Sequence, residues 1–133
     1  MTAQDANEDT TKLLRPSQPG RKIPERFRAS VVIIKGFAEG MEYLIEKEHT
    51  VIGRDKTSDI TLKDPLISRQ HAAIIYREGR YSIKDMESTN GTHMSGARIQ
   101  QADLHHGDKF RVGDTTFQFI LDDTGVVKTY EIK

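Results

Sequence analysis

The sequence predicts an all-β fold. From about Ala29 onward, short runs rich in β-branched and aromatic residues recur roughly every 8 to 12 residues. Glycine, aspartate and asparagine, which favour turns, separate these runs, and no helical repeat competes with them. Many short strands joined by turn residues are typical of a β-sandwich or a β-barrel.

Individual strands are indicated by the pattern of their side chains. Residues 81–85 alternate between apolar and polar side chains, as a strand with one solvent-facing side does. Residues 31–34 are all apolar, which predicts a strand that is buried on both faces. Two hairpin turns are predicted at Gly79 and Gly113, because glycine adopts positive φ at little cost.

Composition limits the classes of protein. The chain has 133 residues, 35% of them hydrophobic, which favours one domain with a single core and a tail. It contains no cysteine, so disulfides and thiolate metal sites are excluded. Twenty basic and twenty acidic residues cancel, which argues against general nucleic-acid binding. No stretch approaches the roughly 18 apolar residues of a membrane span or forms a signal peptide, so we expect a cytoplasmic protein with no membrane association.

Three segments are expected along the chain. Residues 1–28 form an acidic head followed by a basic stretch with three prolines, and this composition predicts a flexible or disordered tail. Residues 29–122 form the β domain, and residues 123–133 are a C-terminal extension or linker. The basic residues between 12 and 28 alternate with prolines and have no aromatic residue before Phe27, which favours a solvated linker over a nucleic-acid or membrane contact.

Polar residues are concentrated in three segments between predicted strands: 53–59, 64–71 and 87–92. Loops at one end of a rigid β scaffold can converge on one binding surface. An arginine side chain gives forked, charge-assisted bonds to phosphate, and hydroxyl and amide groups can contact the remaining phosphate oxygens. The residues that these loops would bring together are Arg54, Ser68, Arg69, Thr89 and Asn90.

Other interpretations of these residues are weaker. Ser68 and His71 could form a nucleophile and base, but three residues apart in an extended segment they would point to opposite faces, so no catalytic pair is expected. The five histidines lack a second ligand pair at a standard spacing, so no metal site is expected. Asn90-Gly91 could simply form a tight turn with positive φ, and such a turn would also hold neighbouring side chains rigidly.

The loop residues resemble a known family. Gly53-Arg54, then Ser68 with His71, then Asn90-Gly91-Thr92 resemble, in this order, the pattern of the forkhead-associated (FHA) domain, and the resemblance covers about residues 30–121. It implies a two-sheet antiparallel β-sandwich of about eleven short strands that binds phosphothreonine peptides. It also implies that the domain has no enzymatic activity and needs no cofactor.

The resemblance assigns a role to each position. It implies that Arg54, Ser68, Arg69 and Thr89 contact the phosphate, and that Asn90 bonds the peptide backbone near the +1 residue.

Further positions would shape the loops and the specificity. Gly53, His71 and Gly91 would be structural, with the histidine tying the loops together. Leu66 would line the pocket for the +3 side chain, so an apolar +3 residue is expected over aspartate.

The N-terminal segment adds a regulatory hypothesis. Thr10 and Thr11 follow two acids and have a leucine at +3, and they resemble acid-Thr-Thr sites of small bacterial regulators whose phosphorylated tail binds its own FHA domain. About 18 residues separate Thr11 from Ala29, enough for the tail to reach the domain or to exchange between two chains. The expected partners are therefore a phosphothreonine protein or the chain's own phosphorylated N-terminus, together with a Ser/Thr kinase.

Two other functions stay open at this point. The chain could be the regulatory front end of a larger signalling enzyme, such as a diguanylate cyclase, whose output domain lies beyond these residues. A structural sandwich that mediates protein contact without phosphate is the third possibility, although it leaves Arg54, Ser68 and Thr89 unexplained.

Overall fold

The computed structural model describes residues 18–24 and 27–123, which form eleven strands in two sheets. The predicted all-β, two-sheet sandwich is confirmed. The strands are β1 (Phe27–Lys35), β2 (Glu42–Ile45), β3 (His49–Gly53), β4 (Ile60–Thr61), β5 (Ala72–Arg77), β6 (Arg80–Asp85), β7 (Thr92–Met94), β8 (Ala97–Ile99), β9 (Gln101–Leu104), β10 (Lys109–Val112) and β11 (Thr115–Asp123).

The strands divide between a six-stranded and a five-stranded sheet. The first has the order β2-β1-β11-β10-β7-β8, and the second has the order β4-β3-β5-β6-β9. Neighbouring strands run antiparallel except β3 and β4, which are parallel, with Ile52 opposite Ile60. The prediction of purely antiparallel sheets misses this pair because β4 is only two residues long.

The core lies between the two sheets. Phe110 and Phe117 stack with ring centroids 5.1 Å apart, and the inner face of the other sheet contributes isoleucines. The largest side chains that are almost fully buried include Phe110, Phe117, Phe119, Ile33, Ile52, Ile74 and Ile83. Burying each such side chain contributes about 1.5–3 kcal/mol before the entropy of ordering is counted.

Strand β1 corrects one sequence prediction. Val31 and Ile33 are fully buried, but Ile34 is 38% exposed at a register shift in the β1–β11 pairing. The strand is therefore not buried on both faces. The five-stranded sheet covers only the inner face of the six-stranded sheet, so alternate residues of this apolar run face outward.

Two predicted turns are confirmed. Glu78 and Gly79 have φ of 50° and 84°, the combination of a type I′ turn between β5 and β6. Gly113 has φ of 59° at the first central position between β10 and β11, as a type II′ turn requires.

Part of the predicted tail packs on the domain. The backbone N–H of Gln18 donates to Oε1 of Glu48 at 2.6 Å, and the N–H of Ile23 donates to the carbonyl of Glu46 at 3.1 Å. This contact lies beside the β2–β3 turn, at the end of β3 opposite Gly53. Thr10, Thr11 and residues 124–133 lie outside the described residues.

The polar loops lie at the other end of β3. They are the β3–β4, β4–β5 and β6–β7 connections, and the β10–β11 turn adjoins them, because the N–H of Asp114 donates to Oδ2 of Asp64 at 3.2 Å. Residues 86–91 do not close a hairpin; they carry the chain from β6 in one sheet to β7 in the other. Within the described part of the chain, no helix could span a lipid bilayer.

Candidate functional site

Gly53 allows two loops to approach each other closely. A Cβ at this position would collide with the carbonyl oxygen of Arg69 and would lie 2.7 Å from Oγ of Ser58. Backbone hydrogen bonds join the two loops: the N–H of Arg54 donates to the Ser68 carbonyl at 3.0 Å, and the N–H of Asp55 donates to the Arg69 carbonyl at 3.1 Å. The β3–β4 and β4–β5 loops therefore form one unit.

The side chain of Arg54 is oriented by the neighbouring loop. Its Nε donates to the carbonyl of Ile67 at 2.9 Å, which leaves the terminal nitrogens facing solvent. Arg54, Lys63 and Pro65 line a depression of about 490 Å³. Two cations and no carboxylate line it, so its charge favours an anion.

Ser68 and Thr89 meet although they lie on different loops. The backbone N–H of Thr89 donates to Oγ of Ser68 at 3.1 Å. Since this oxygen accepts the bond, its own hydrogen remains available to donate to a ligand. Thr89 is exposed, and Ser68 is half-buried.

His71 is fully buried and connects the two loops. Its Nδ1 accepts a hydrogen bond from the N–H of Ser68 at 3.0 Å, so Nε2 carries the proton and donates to the carbonyl of Gly91 at 2.9 Å. The chain bends at Arg69 and Gln70, so residues 68–71 are not the extended segment that the sequence analysis assumed. The absence of a catalytic pair has a different reason: both ring nitrogens are already bonded to the backbone.

Asn90 and Leu66 also meet across the loops. The Nδ2 of Asn90 donates to the carbonyl of Leu66 at 2.8 Å, which fixes the amide and leaves its oxygen to accept a bond. Leu66 is 42% exposed, although it is a large apolar side chain. Its N–H donates to Oδ1 of Asp64 at 2.9 Å, which holds the loop in place.

Asp85 organises the β6–β7 loop, a role that the sequence analysis missed. Its carboxylate accepts bonds from the N–H of Ser88 at 3.0 Å, from Oγ of Ser88 at 2.6 Å and from Oγ1 of Thr92 at 2.8 Å. Partial burial alone would raise the pKa of Asp85, but these bonds outweigh it and hold the pKa below its usual value. The signal available in the sequence was an aspartate three residues before a serine, a pattern of local side-chain capping.

Gly91 completes this loop. Its φ is +88°, and a Cβ there would lie 2.6 Å from Nε of Arg98. The N–H of Gly91 donates to Oγ of Ser88 at 2.9 Å. Only Gly91 of the Asn90-Gly91 pair has positive φ, so the pair is not the two-residue hairpin turn considered above.

A second depression lies at the opposite end of the sandwich. It measures about 450 Å³ and is lined by Lys22, Ile23, residues of β1 and β2, and Glu46, which follows β2. A carboxylate in the lining makes it the poorer anion site. Among the described residues, no group of three histidines, aspartates or glutamates is arranged to hold a metal ion.

Comparisons with known proteins agree with this geometry. Residues 50–113 match the FHA domain family. The FHA domain of the CT664 protein of Chlamydia trachomatis is 30% identical, with a TM-score of 0.66, and the match covers 70% of this chain and 96% of that one. The chain belongs to the FHA domain family.

Two further relatives of this FHA domain are longer proteins. Glycogen accumulation regulator GarA of Mycolicibacterium smegmatis is 32% identical over 73% of this chain and 64% of its own length. EmbR of Mycobacterium tuberculosis, solved with a low-affinity phosphopeptide, is 35% identical with a TM-score of 0.65, over 70% of this chain and 24% of that chain. The match thus spans less than two thirds of either relative.

Proposed function

We propose that this FHA domain binds phosphothreonine segments of a partner protein in a Ser/Thr kinase pathway. The observation that carries the proposal is the position of Arg54, whose Nε bond to the Ile67 carbonyl aims the terminal nitrogens away from the protein. The similar EmbR was solved with a phosphopeptide, which supports the same ligand class.

Each loop residue has a role in this proposal. Arg54 gives the phosphate forked, charge-assisted bonds, and the Ser68 hydroxyl donates its remaining hydrogen to a phosphate oxygen. Arg69 and Thr89 add contacts from the loop surface, where both are exposed. The free oxygen of the Asn90 amide accepts from the peptide backbone near +1. Gly53, His71 and Gly91 keep these groups in place.

Binding, and no chemical step, is the proposed activity. A serine nucleophile needs a base that removes its proton. Both nitrogens of His71 are bonded to backbone groups, and Oγ of Ser68 accepts the N–H of Thr89. Ser68 therefore serves as a hydrogen-bond donor to the ligand.

The direct test is a titration with three matched peptides that carry phosphothreonine, threonine or phosphoserine. The phosphothreonine peptide should bind at least tenfold more tightly than the unphosphorylated one, because a charge-assisted contact contributes about 1.5–3 kcal/mol. We expect weaker binding of phosphoserine, which lacks the γ-methyl group. Equal binding of the phosphorylated and unphosphorylated peptides would reject the proposal.

We also propose that phosphorylation of Thr10 or Thr11 makes the N-terminal segment a ligand for this site. The sequence places Leu13 and Leu14 at +3 from these threonines. Domain limits follow from the same scheme: a regulatory segment within 1–28, the binding domain over 29–122 and an extension over 123–133.

The packing of residues 18–24 limits how the segment can reach the site. Thr11 lies seven residues before Gln18, and seven extended residues span at most about 25 Å. With a strand rise of about 3.3 Å per residue, Arg54 lies about 20 Å from Glu48, which holds Gln18. The linker would have to be almost straight along the domain surface. We therefore favour exchange between two chains while Gln18 stays in place.

Sedimentation of the chain phosphorylated at Thr10 or Thr11 tests this arrangement. Exchange should give a concentration-dependent dimer that Arg54→Ala dissociates. Inserting about six Gly and Ser residues between Ser17 and Gln18 should convert it to a monomer with an occupied site, since the linker then reaches in cis. If phosphorylated and unmodified chains capture a competing phosphopeptide equally well, self-binding is wrong.

A second candidate function is regulation of a larger signalling protein. EmbR is described as a transcriptional regulatory protein, and its match to this chain covers only 24% of its length. Such an FHA domain would bring the output region of the protein to a phosphorylated partner. This function predicts a longer product of the same gene whose output activity changes when the phosphothreonine partner binds; an unchanged output activity would reject it.

A further inference from the structure

Basic side chains form a row on the outer face of the six-stranded sheet. His93 of β7 lies opposite Arg98 of β8 on one side and Arg111 of β10 on the other. Arg111 lies opposite Thr116, and Lys35 lies on the far side of Thr116. The neighbouring inward-facing row contains Thr92 and Val112, both fully buried, so the basic row faces away from the core. We call Arg98, Arg111 and Lys35 the cationic row, with His93 between the two arginines.

The cationic row has no acidic partner among the described residues. Two ion pairs of the described residues, Lys47 with Asp59 and His105 with Asp108, lie elsewhere and not on this face. Acidic side chains lie at the edges of this face: Glu42 lies opposite Val32, Asp122 lies opposite Arg28, and exposed Asp114 lies in the turn beside Gly36. The charge of Asp85, at the end of β6, also acts on His93. Arg98, Arg111 and Lys35 are exposed.

Keeping these side chains together is unfavourable. His93 separates Arg98 from Arg111, and Thr116 separates Arg111 from Lys35, so the charged members are two strand spacings apart, about 10 Å. At that distance like charges repel one another at low salt. Burial lowers the pKa of His93, and the charges of Arg111 and Arg98 lower it further, so the ring is neutral at neutral pH. Its Nδ1 is buried and has no hydrogen-bond partner. No carboxylate forms an ion pair with these side chains in the described part of the chain, so the row keeps a positive charge that favours an acidic ligand.

The row is joined to the peptide site at two points. Nη2 of Arg98 donates to the carbonyl of Ser88 at 3.1 Å, one residue before Thr89. Nη1 of Arg111 donates to the carbonyl of Gly113 at 2.8 Å. A Cβ on Gly113 would lie 2.7 Å from Cγ1 of Ile67, so this turn touches the residue next to Leu66. Arg98 therefore contacts the loop assigned to the +1 residue, and Arg111 contacts the turn beside the loop assigned to the +3 residue.

We infer that the cationic row binds acidic residues that follow the +3 position of the phosphothreonine segment in the partner protein. This inference rests on the proposed peptide binding, with Asn90 near +1 and Leu66 near +3. Arg98 and Lys35 are four strand spacings apart, about 19 Å, which an extended peptide covers in about six residues. The acids would thus fall at about +4 to +9.

The chain's own N-terminal segment does not have this chemistry. Thr11 is followed by Lys12, two leucines and Arg15, with no acid before Glu25. Bound at the site, these basic residues would face a basic row. A partner with acids after +3 should therefore displace the phosphorylated N-terminal segment, and the row distinguishes the two ligands.

The test uses two phosphothreonine peptides with leucine at +3, one with four glutamates at +5 to +8 and one with four serines there. The glutamate peptide should bind about 3- to 10-fold more tightly at low salt, since exposed ion pairs each contribute little, and this advantage should vanish at about 0.5 M salt. The double variant Arg111→Gln with Lys35→Gln should lose most of this advantage, because only Arg98 of the row remains. Lys84→Gln, on the outer face of the other sheet, should keep the difference.

The outcomes separate the two proposals. If both peptides bind the wild-type chain equally, and more tightly than their unphosphorylated forms, the cationic row does not bind acidic residues. The proposed phosphate site is then still supported. Failure of phosphorylation to improve binding of either peptide rejects the phosphate site itself. If a single-stranded oligonucleotide binds the row more tightly than the glutamate peptide, and the double variant loses it, the row is a nucleic-acid surface and the inference is wrong.

Discussion

Nε2 of His71 lies 2.9 Å from the carbonyl oxygen of Gly91, although the two residues are twenty positions apart in the chain. The same ring accepts the N–H of Ser68 through Nδ1. One buried imidazole thus fixes the distance between the loop that carries Ser68 and the loop that carries Thr89 and Asn90.

Replacing His71 with alanine should act mainly on stability. It leaves the N–H of half-buried Ser68 and the carbonyl of buried Gly91 without partners, at up to about 1–3 kcal/mol each. We expect a lower urea midpoint and, where the variant is still folded, a smaller loss of phosphopeptide affinity. A variant with unchanged stability and no binding would show that His71 contacts the ligand instead.

Replacing Arg54 with alanine should have the opposite profile. The side chain is exposed and makes one bond to the fold, so stability should change by less than about 1 kcal/mol, whereas phosphopeptide affinity should fall at least tenfold. Calorimetric titration with parallel thermal unfolding measures both. Arg80→Ala, at the β5–β6 turn, is the matched control. Tight binding by folded Arg54→Ala would contradict the site assignment.

Local sequence patterns predicted much of this molecule for a physical reason. Alternation, turn glycines and polar loop residues depend on neighbours in the chain, so residues 81–85 and the turns at Gly79 and Gly113 could be recognised directly. The convergence of the three polar loops could also be predicted, because their polar residues are clustered in sequence; the contacts of Ser68 with Thr89 and of Leu66 with Asn90 confirm it.

Features that depend on pairing between distant strands were not predicted. The cationic row exists only because the register places His93 between Arg98 and Arg111. The outward position of Ile34 follows from which face of the sheet is covered. The contact of Gln18 with Glu48 joins residues thirty positions apart, and no local pattern encodes it.

Asp85 should make stability depend on acid pH. Its pKa in the folded chain lies below its usual value, so the unfolded chain takes up a proton first as the pH falls. Its contribution is therefore present above about pH 4 and is lost as the pH falls through the folded-state pKa. Asp85→Asn should cost about 1–3 kcal/mol at pH 7 and less at pH 3, measured by urea unfolding. The control variant Asp103→Asn, at an exposed position on β9, should lose little stability at either pH. An equal loss of stability for Asp85→Asn at pH 7 and pH 3 would refute the charge effect.

Leu66 should select an apolar +3 residue. A +3 aspartate would lose hydration against this exposed leucine, while a +3 leucine would gain apolar contact of about 1 kcal/mol or more. Paired peptides that differ only at +3 should show a preference of about fivefold or more for leucine. Leu66→Arg should reverse the preference. A wild-type preference for +3 aspartate would exclude Leu66 from the +3 pocket.

Lys63 should contribute to the rate at which phosphopeptides bind. It lines the depression beside Arg54 and is exposed, and the sequence analysis did not identify it. A phosphate carries a charge of about −1.5 to −2 at pH 7, so a cation beside the site adds to the attraction that Arg54 and Arg69 exert on it. An exposed second cation is screened by solvent and contributes about 0.2–1 kcal/mol, mostly by attracting the ligand before contact. Lys63→Gln should therefore lower the association rate by about two- to fivefold and reduce its salt dependence, while the dissociation rate stays nearly constant.

Stopped-flow binding at two salt concentrations measures the association and dissociation rates, with Lys84→Gln as the control. A tenfold faster dissociation with an unchanged association rate would mean that Lys63 bonds the bound phosphate directly, and the long-range role would be wrong.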